Sequence, residues 1–139
     1  MTGWNALVDR YVALWNEADD ELRAKTVEDM YTTDAVYVMY ARDPFVGHRA
    51  ITRQITYAHR LYTPMGYTFK SSHNAVGHHN LVRFNWVMLS LETGGVEIVG
   101  LDVLVLDDSG RIRADYQFHE KLPSFSYDGL PTPEELLGP

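Results

Sequence analysis

The chain contains no cysteine, which excludes a disulfide framework and a thiolate metal site and leaves the redox compartment open. Long apolar runs are missing too: no uninterrupted stretch approaches the roughly 18 residues that a membrane-spanning helix needs. The opening MTGWNALVDRYVALW lacks a basic segment followed by a continuous apolar one, so neither a secretory leader nor a membrane partner is expected, and a cytoplasmic location is. Basic charge is scarce, with 12 Lys and Arg against 19 Asp and Glu and a net charge of −7. These cations are scattered singly, leaving no footprint for a phosphate backbone, and nucleic acid is not an expected partner. Internal repeats and low-complexity tracts are absent. What remains is the composition of a globular protein, 45% hydrophobic and 22% charged, and 139 residues suit one domain with a real core.

Apolar periodicity places the elements. Trp4, Leu7, Val8, Tyr11, Val12 and Trp15 form the stripe of an amphipathic helix, with Thr2 or Asn5 as cap. Asp19 and Asp20 precede a second helix, about Asp20 to Tyr31, where a carboxylate can bond free amides and oppose the helix dipole. Residues 35–40 read as a strand, and HRAITRQITYAHRLY as a third helix ending before Pro64. From Tyr67 the period becomes two. Tyr67 to Lys70 with His73 to Val76, then Leu81 to Leu91, Val96 to Leu106 and Ile112 to Glu120, separated by turn-forming residues, predict three or four long antiparallel strands. This divides the chain into an α+β domain over 1–122 and a tail over 123–139 that holds four of the six prolines. Within the tail, Thr132-Pro133-Glu134-Glu135 has the pattern of a capped helical turn.

One acidic side chain interrupts the most apolar strand. In Val96 to Leu106, Asp102 shares a face with Ile98, Gly100, Leu104 and Leu106, while Val99, Leu101, Val103 and Val105 occupy the other. Two apolar faces predict a strand covered on both sides. Desolvation there raises the pKa of a carboxyl, toward a form that donates a hydrogen bond at neutral pH. On the final strand Asp115, Gln117 and His119 share a face by the same alternation. Histidine titrates nearest neutrality, and a nearby carboxylate would orient it and raise its basicity.

Helices first and a meander of long strands afterwards form an α+β arrangement whose curved sheet encloses a conical pocket. In this order, YVALWNEADDELRAKTVEDMYTTDAVYV, GHHNLVRFNW, and GLDVLVLDDSGRI leading to QFHE resemble the SnoaL-like branch of the nuclear transport factor 2-like superfamily, from about Trp4 to Lys121. The resemblance implies a cone-shaped domain, a hydrophobic small-molecule ligand and a homodimer paired through the outer sheet face. In ketosteroid isomerases of the superfamily a protonated aspartate on the matching strand helps to hold an oxyanion, which implies that role for Asp102. Their tyrosine partner matches Tyr11, within Arg10-Tyr11-Val12-Ala13-Leu14. Their general-base aspartate falls on Met39, which cannot accept a proton; Asp43-Pro44-Phe45 resembles the sequence around that base only if the preceding strand carries an insertion. Limonene-type epoxide hydrolases use an arginine between two aspartates, and the matching residues here are Arg83, Asn85 and Gln117. Amides cannot serve as bases, so that hydrolysis is not expected.

Two roles stay open for Asp102, proton donor or orienter of His119. Tyr11 is either an oxyanion donor or core, and His119 either a base or an interfacial residue. Arg83, Asp115, Trp15, Met39, Gln117 and Asn85 are candidate substrate contacts. The histidines lack the His-x-His or His-x₃-His spacing of a metal site, with His78 and His79 expected on opposite faces of a strand, so neither metal nor cofactor is expected. The function these residues predict is acid–base chemistry, an isomerisation, cyclisation or dehydration, on a polyketide- or steroid-like molecule. The alternative is a non-catalytic binding or dimerisation module of the same fold.

Overall fold

The computed structural model describes residues 3–139. The first helix, α1, runs Gly3–Asn16. Of its two expected caps, Thr2 lies outside the described residues. Asn5 sits inside the helix instead, where its Oδ1 accepts from the Ala75 amide at 3.1 Å. Helix α2, Asp20–Met30, is capped as its acidic start predicts: Asp19 Oδ1 accepts from the Leu22 amide at 3.0 Å. There follow β1 (Tyr31–Val38), β2 (Phe45–Val46), α3 (His48–Tyr62), β3 (Tyr67–Ser71), β4 (Val76–His78), β5 (Leu81–Ser90), β6 (Val96–Leu106), β7 (Ile112–Lys121) and α4 (Pro133–Leu137).

The strands form one curved, unclosed sheet in the order β2-β1-β7-β6-β5-β3, with β4 also on β5. The expected antiparallel meander is β5-β6-β7. Strand β1 departs from it, pairing parallel with β7 so that Tyr37 lies opposite Asp115. It also starts four residues early, because Tyr31 leaves α2 directly in an extended conformation, φ −113° and ψ 147°. The two halves expected over Tyr67 to Lys70 and His73 to Val76 become β3 and β4, the second shifted to Val76–His78 behind a bend in which His73 adopts φ 52°. Both halves pair with β5.

Helices α1 and α3 pack into the hollow of the sheet. Val8, Tyr11, Val12 and Leu14 are the buried residues of α1, and Ile51, Gln54, Ile55, Tyr57, Ala58 and Leu61 those of α3. A buried arginine, unmarked by the sequence pattern, ties α2 to α3. Arg23 is 1% exposed; it donates to Asp20 Oδ1 at 2.6 Å, to Thr56 Oγ1 at 3.2 Å and to the Glu17 carbonyl. Asp20 in turn accepts from Arg60 of α3 at 2.7 Å.

Strand β6 alternates cleanly. Ile98, Gly100, Asp102, Leu104 and Leu106 are buried on the inner face, while Val99, Leu101, Val103 and Val105 are half-buried outside. The strand is therefore not covered on both sides as its composition predicts. Its outer apolar residues stay half-exposed in the single chain, and among the described residues the helices that touch the sheet do so chiefly at β1, β2, β3 and β5.

Two glycines let tryptophans lie flat on the sheet. A Cβ at Gly77 would stand 2.6 Å from the Trp4 ring, and one at Gly100 only 2.0 Å from Trp86, far inside van der Waals contact. Gly100 and Trp86 are direct partners across β6 and β5. Gly100→Ala should therefore destabilise the fold by about 1–3 kcal/mol through overpacking, as read by urea unfolding. An unchanged midpoint would mean that the indole does not rest on this strand.

Candidate active site

The inner face of β6 and β7 brings two acids together. Asp102 pairs with Gln117 and Leu104 with Asp115 in the ladder, so the acids sit on adjacent strands two residues out of step. Helix α1 lays Tyr11 over them. Its Oη is 2.7 Å from Asp115 Oδ2 and 3.0 Å from Asp102 Oδ2. Tyr31 Oη donates to Asp115 Oδ2 at 3.3 Å, and Trp86 Nε1 donates to Asp102 Oδ1 at 2.7 Å. Asp102 and Asp115 are both wholly buried.

One phenol proton cannot satisfy two carboxylate oxygens, so a further proton must reside on the pair. Burial, first, and then the neighbouring Asp102 charge hold Asp115 well above the ordinary 3.8, so the pair as a unit retains a proton. Burial also raises Asp102, and donation from Asp115, Trp86 and Tyr11 opposes that rise. The tyrosines at 11, 31 and 37 are pushed well above 10, chiefly by burial and next by these acids. They remain protonated donors.

Above this cluster opens a cavity of about 400 Å³, within the range of small-molecule sites. Tyr11, Tyr37 and Trp86 belong to its deep, buried part, and Tyr40, Arg42 and Tyr127 to its exposed rim. His119 lines it, with its ring edge-on to Trp86 (centroids 6.2 Å) and to Tyr40 (5.9 Å). Desolvation lowers its pKa below 6.5, with the Asp102 charge opposing, so the ring is neutral at pH 7. Its Nδ1 is buried without a partner, as is the indole nitrogen of Trp15, another lining residue. His119 Nε2 is 3.4 Å from the Gln117 amide nitrogen.

The candidate residues thus divide into three groups. Tyr11, His119, Trp15, Met39 and Gln117 line the cavity. Asp102 and Asp115 stand one layer behind it: Trp86 and Tyr11 occupy the Asp102 oxygens, and His119 makes no direct bond to either acid. Arg83 and Asn85 are outside altogether. They fall on the convex face of β5, where Arg83 is exposed and the Asn85 amide donates to Gly100 O at 2.9 Å and Glu120 Oε1 at 2.7 Å. Arg83, the residue matched to the epoxide hydrolases' arginine, therefore does not reach this cavity. His78 and His79, expected on opposite faces, instead meet at 3.0 Å, since His79 turns out of the strand at φ 53°. Among the described residues no three His, Asp or Glu side chains converge on a point, and no helix is long and apolar enough to cross a membrane.

Pattern reasoning counts Trp86 among the large apolar residues of core or pocket and gives neither it nor Tyr31 a hydrogen bond to the acids. The available signal for Trp86 is Gly100, because a glycine inside an apolar strand marks close approach by something bulky. The tail is the other surprise. It is not a free extension: Ser124 binds Glu97 Oε1, Phe125 stacks on Tyr67 (centroids 5.7 Å), and Tyr127 and Tyr62 hydroxyls meet at 2.7 Å. Tyr57 donates to Pro131 O at 2.8 Å, and Leu130 to Pro133 complete the rim. The expected helical turn is present as α4, with the reciprocal Thr132–Glu135 capping box and Pro133 in its first turn.

Solved structures share this architecture. A candidate isomerase of the SnoaL-like family from Agrobacterium tumefaciens strain C58 is 30% identical and superposes with a TM-score of 0.77, covering 86% of this chain and 99% of its own. The chain belongs to the SnoaL-like family. A protein of unknown function from Exiguobacterium sp. 255-15, described as NTF2-like, is 15% identical with a TM-score of 0.62 over 82% of this chain and 98% of its own. A candidate SnoaL-like polyketide cyclase from Jannaschia sp. CCS1 is 12% identical with a TM-score of 0.56 over 82% and 85%. These two likenesses establish the shared fold of the SnoaL-like chain. No protein-family model and no curated protein matches it.

The shared proton sets a pH dependence. Unfolded, both acids titrate near 3.8; folded, the pair keeps its proton to higher pH, so folding takes up a proton and this contribution to stability falls as pH rises above 3.8. Asp115→Asn keeps shape and a donor while abolishing that titration. Its stability relative to the parent should improve between pH 4.5 and pH 8 in thermal melts, whereas Asp115→Ala, which strands the Tyr11 and Tyr31 hydroxyls, should cost about 1–3 kcal/mol. A difference between Asn variant and parent that is constant across that range would show that no shared proton exists.

Proposed function

We propose that this SnoaL-like protein performs acid–base chemistry on a hydrophobic ring compound held in the cavity, moving a proton at a carbon beside a carbonyl group, as in an isomerisation, cyclisation or dehydration. The observation that carries this reading is His119, a cavity-lining imidazole kept neutral by burial and making no hydrogen bond to either acid. A neutral imidazole is a competent base near pH 7. As it takes up a proton, the Asp102 carboxylate behind Trp86 favours the resulting cation. The developing enolate oxygen has hydroxyl and amide donors within the same cavity, those of Tyr37 and Gln117. In this scheme Asp102 acts through charge and through holding Trp86, and Tyr11 through bridging the acids. The names of the Agrobacterium and Jannaschia proteins, isomerase and polyketide cyclase, are in keeping with this chemistry.

The second reading, a non-catalytic binding module, draws on the closed character of the acid cluster, whose donors and acceptors largely satisfy one another. Solvent deuterium exchange distinguishes the two. With 2-tetralone as probe, the parent protein should accelerate exchange at the carbon beside the carbonyl, and His119→Gln should reduce that acceleration about 10²-fold or more. Since the lone pair must be free, the rate should rise with pH through a midpoint below 6.5 and then level. Exchange that is indifferent to His119→Gln would remove the base from this proposal.

We also propose a homodimer formed through the convex sheet face. Leu101 lies beside Phe118 and Val103 beside Tyr116 across β6 and β7, and Phe118 is 58% exposed; an apolar surface of this kind ordinarily gains a partner. Light scattering should give twice the 15.9 kDa chain mass, falling to one chain for Phe118→Lys. A monomeric parent protein at micromolar concentration would contradict it.

A further inference from the structure

The polar equipment of the cavity rim is uneven, and the unevenness bears on what the cavity holds. Among the described residues whose side chains line the cavity, Arg42 is the one permanent cation, and none is an Asp or Glu. Among the described residues no carboxylate lies within ion-pair distance of it, although Asp43 is next to it in the chain. Among the described residues Arg23 and Arg60 both engage Asp20, while Arg42, like Arg10, Arg49, Arg53, Arg83, Arg111 and Arg113, forms no ion pair. What sets Arg42 apart is its place: among the described residues it alone brings a permanent charge to the lining of this otherwise aromatic cavity, where a ligand anion would meet it.

Arg42 is nevertheless held in place. Its guanidinium carbon stands over the Tyr57 ring, 5.5 Å from the centroid, and Tyr57 is fixed in turn by its bond to Pro131 O. Cation–π contact engages the ring face and leaves the guanidinium N–H edges free, the fork that matches the two oxygens of a carboxylate. The backbone supports the same placement. Ala41, just before it, adopts φ 71°, a left-handed conformation that costs a residue with a Cβ and tends to persist where the surroundings require it. Through that turn, Tyr40, Ala41 and Arg42 all reach the cavity, with Tyr40 against His119 at the reactive end and Arg42 against Tyr57 at the mouth.

We propose that Arg42 is a specificity-determining residue that selects ring compounds bearing a carboxylate, binding the carboxylate at the rim while the ring system fills the aromatic interior beside His119. This deepens the catalytic reading, since it places the reacting carbon at His119 and the anionic edge at Arg42. The binding preference itself requires no turnover.

Isothermal titration calorimetry with matched acids and alcohols tests it: benzoate with benzyl alcohol, and 2-naphthoate with 2-naphthalenemethanol. The expected result is that the parent protein binds the acid of at least one pair about tenfold or more tightly than the alcohol. Arg42→Gln, a change at an exposed position, should lower the acid to the affinity of the alcohol and leave the alcohol unchanged. His119→Gln should retain the preference. Loss of deuterium exchange in His119→Gln with the preference intact supports both readings, and a preference without any exchange in the parent protein supports this one while removing the catalytic one. Equal affinities within both pairs, a preference that survives Arg42→Gln, or failure of all four compounds to bind at millimolar concentration would overturn the assignment.

Discussion

Everything near the cavity is positioned by one buried contact, the meeting of Asp102 and Asp115 beneath the hydroxyl of Tyr11. Two carboxyls without solvent are tolerable only if they share a proton and are supplied with donors. Those donors arrive from three separate parts of the chain: α1 sends Tyr11, the start of β1 sends Tyr31 and β5 sends Trp86, all to acids that lie on β6 and β7. The cluster therefore fixes where the first helix rests on the sheet. It also fixes the Trp86 indole, pressed on Gly100 and tied to Asp102, as the wall between the acids and His119.

The cavity follows from this arrangement. Tyr11 ties α1 to the acids of β6 and β7, α3 packs against β1 and β2, and residues of both helices and of the sheet line the cavity between them. The last segment spans the opening. Its prolines keep it extended and its capping box gives it a stop, so it fastens to α3 through Tyr57 and Arg53 and to β6 through Glu97. The result is an interior that is mostly aromatic, a neutral imidazole on one wall and a lone cation at the rim. The neutral imidazole and the rim cation have different physical origins: the first comes from desolvation, the second from the left-handed turn at Ala41 that brings Arg42 to the cavity.

Much of this was legible in the chain. The 3.6-residue stripe of α1, the acidic cap at Asp19, the parity of β6 and the common face of Asp115, Gln117 and His119 all hold in the structure. Each depends on backbone geometry within a few residues. Readings that required knowing what lies opposite fared differently. Arg83 and Asn85 alternate as expected, yet on the convex face; alternation defines two faces and does not say which one is covered. The same ambiguity led to the expectation that β6 was buried on both sides.

By itself, the sequence determined the order and type of the elements, the amphipathic faces, the presence of an acid in an apolar strand, and enough family pattern to indicate the cone. Only the tertiary structure decided that this acid is paired with a second, that Trp86 screens it from His119, that Tyr11 bridges rather than faces a ligand alone, and that the tail completes the rim. The reason is separation along the chain. Tyr11 and Asp115 are 104 residues apart, and their contact depends on the register of β6 on β7, on the irregularity beside Leu106 and on the seat of α1, none of which is encoded in any local window.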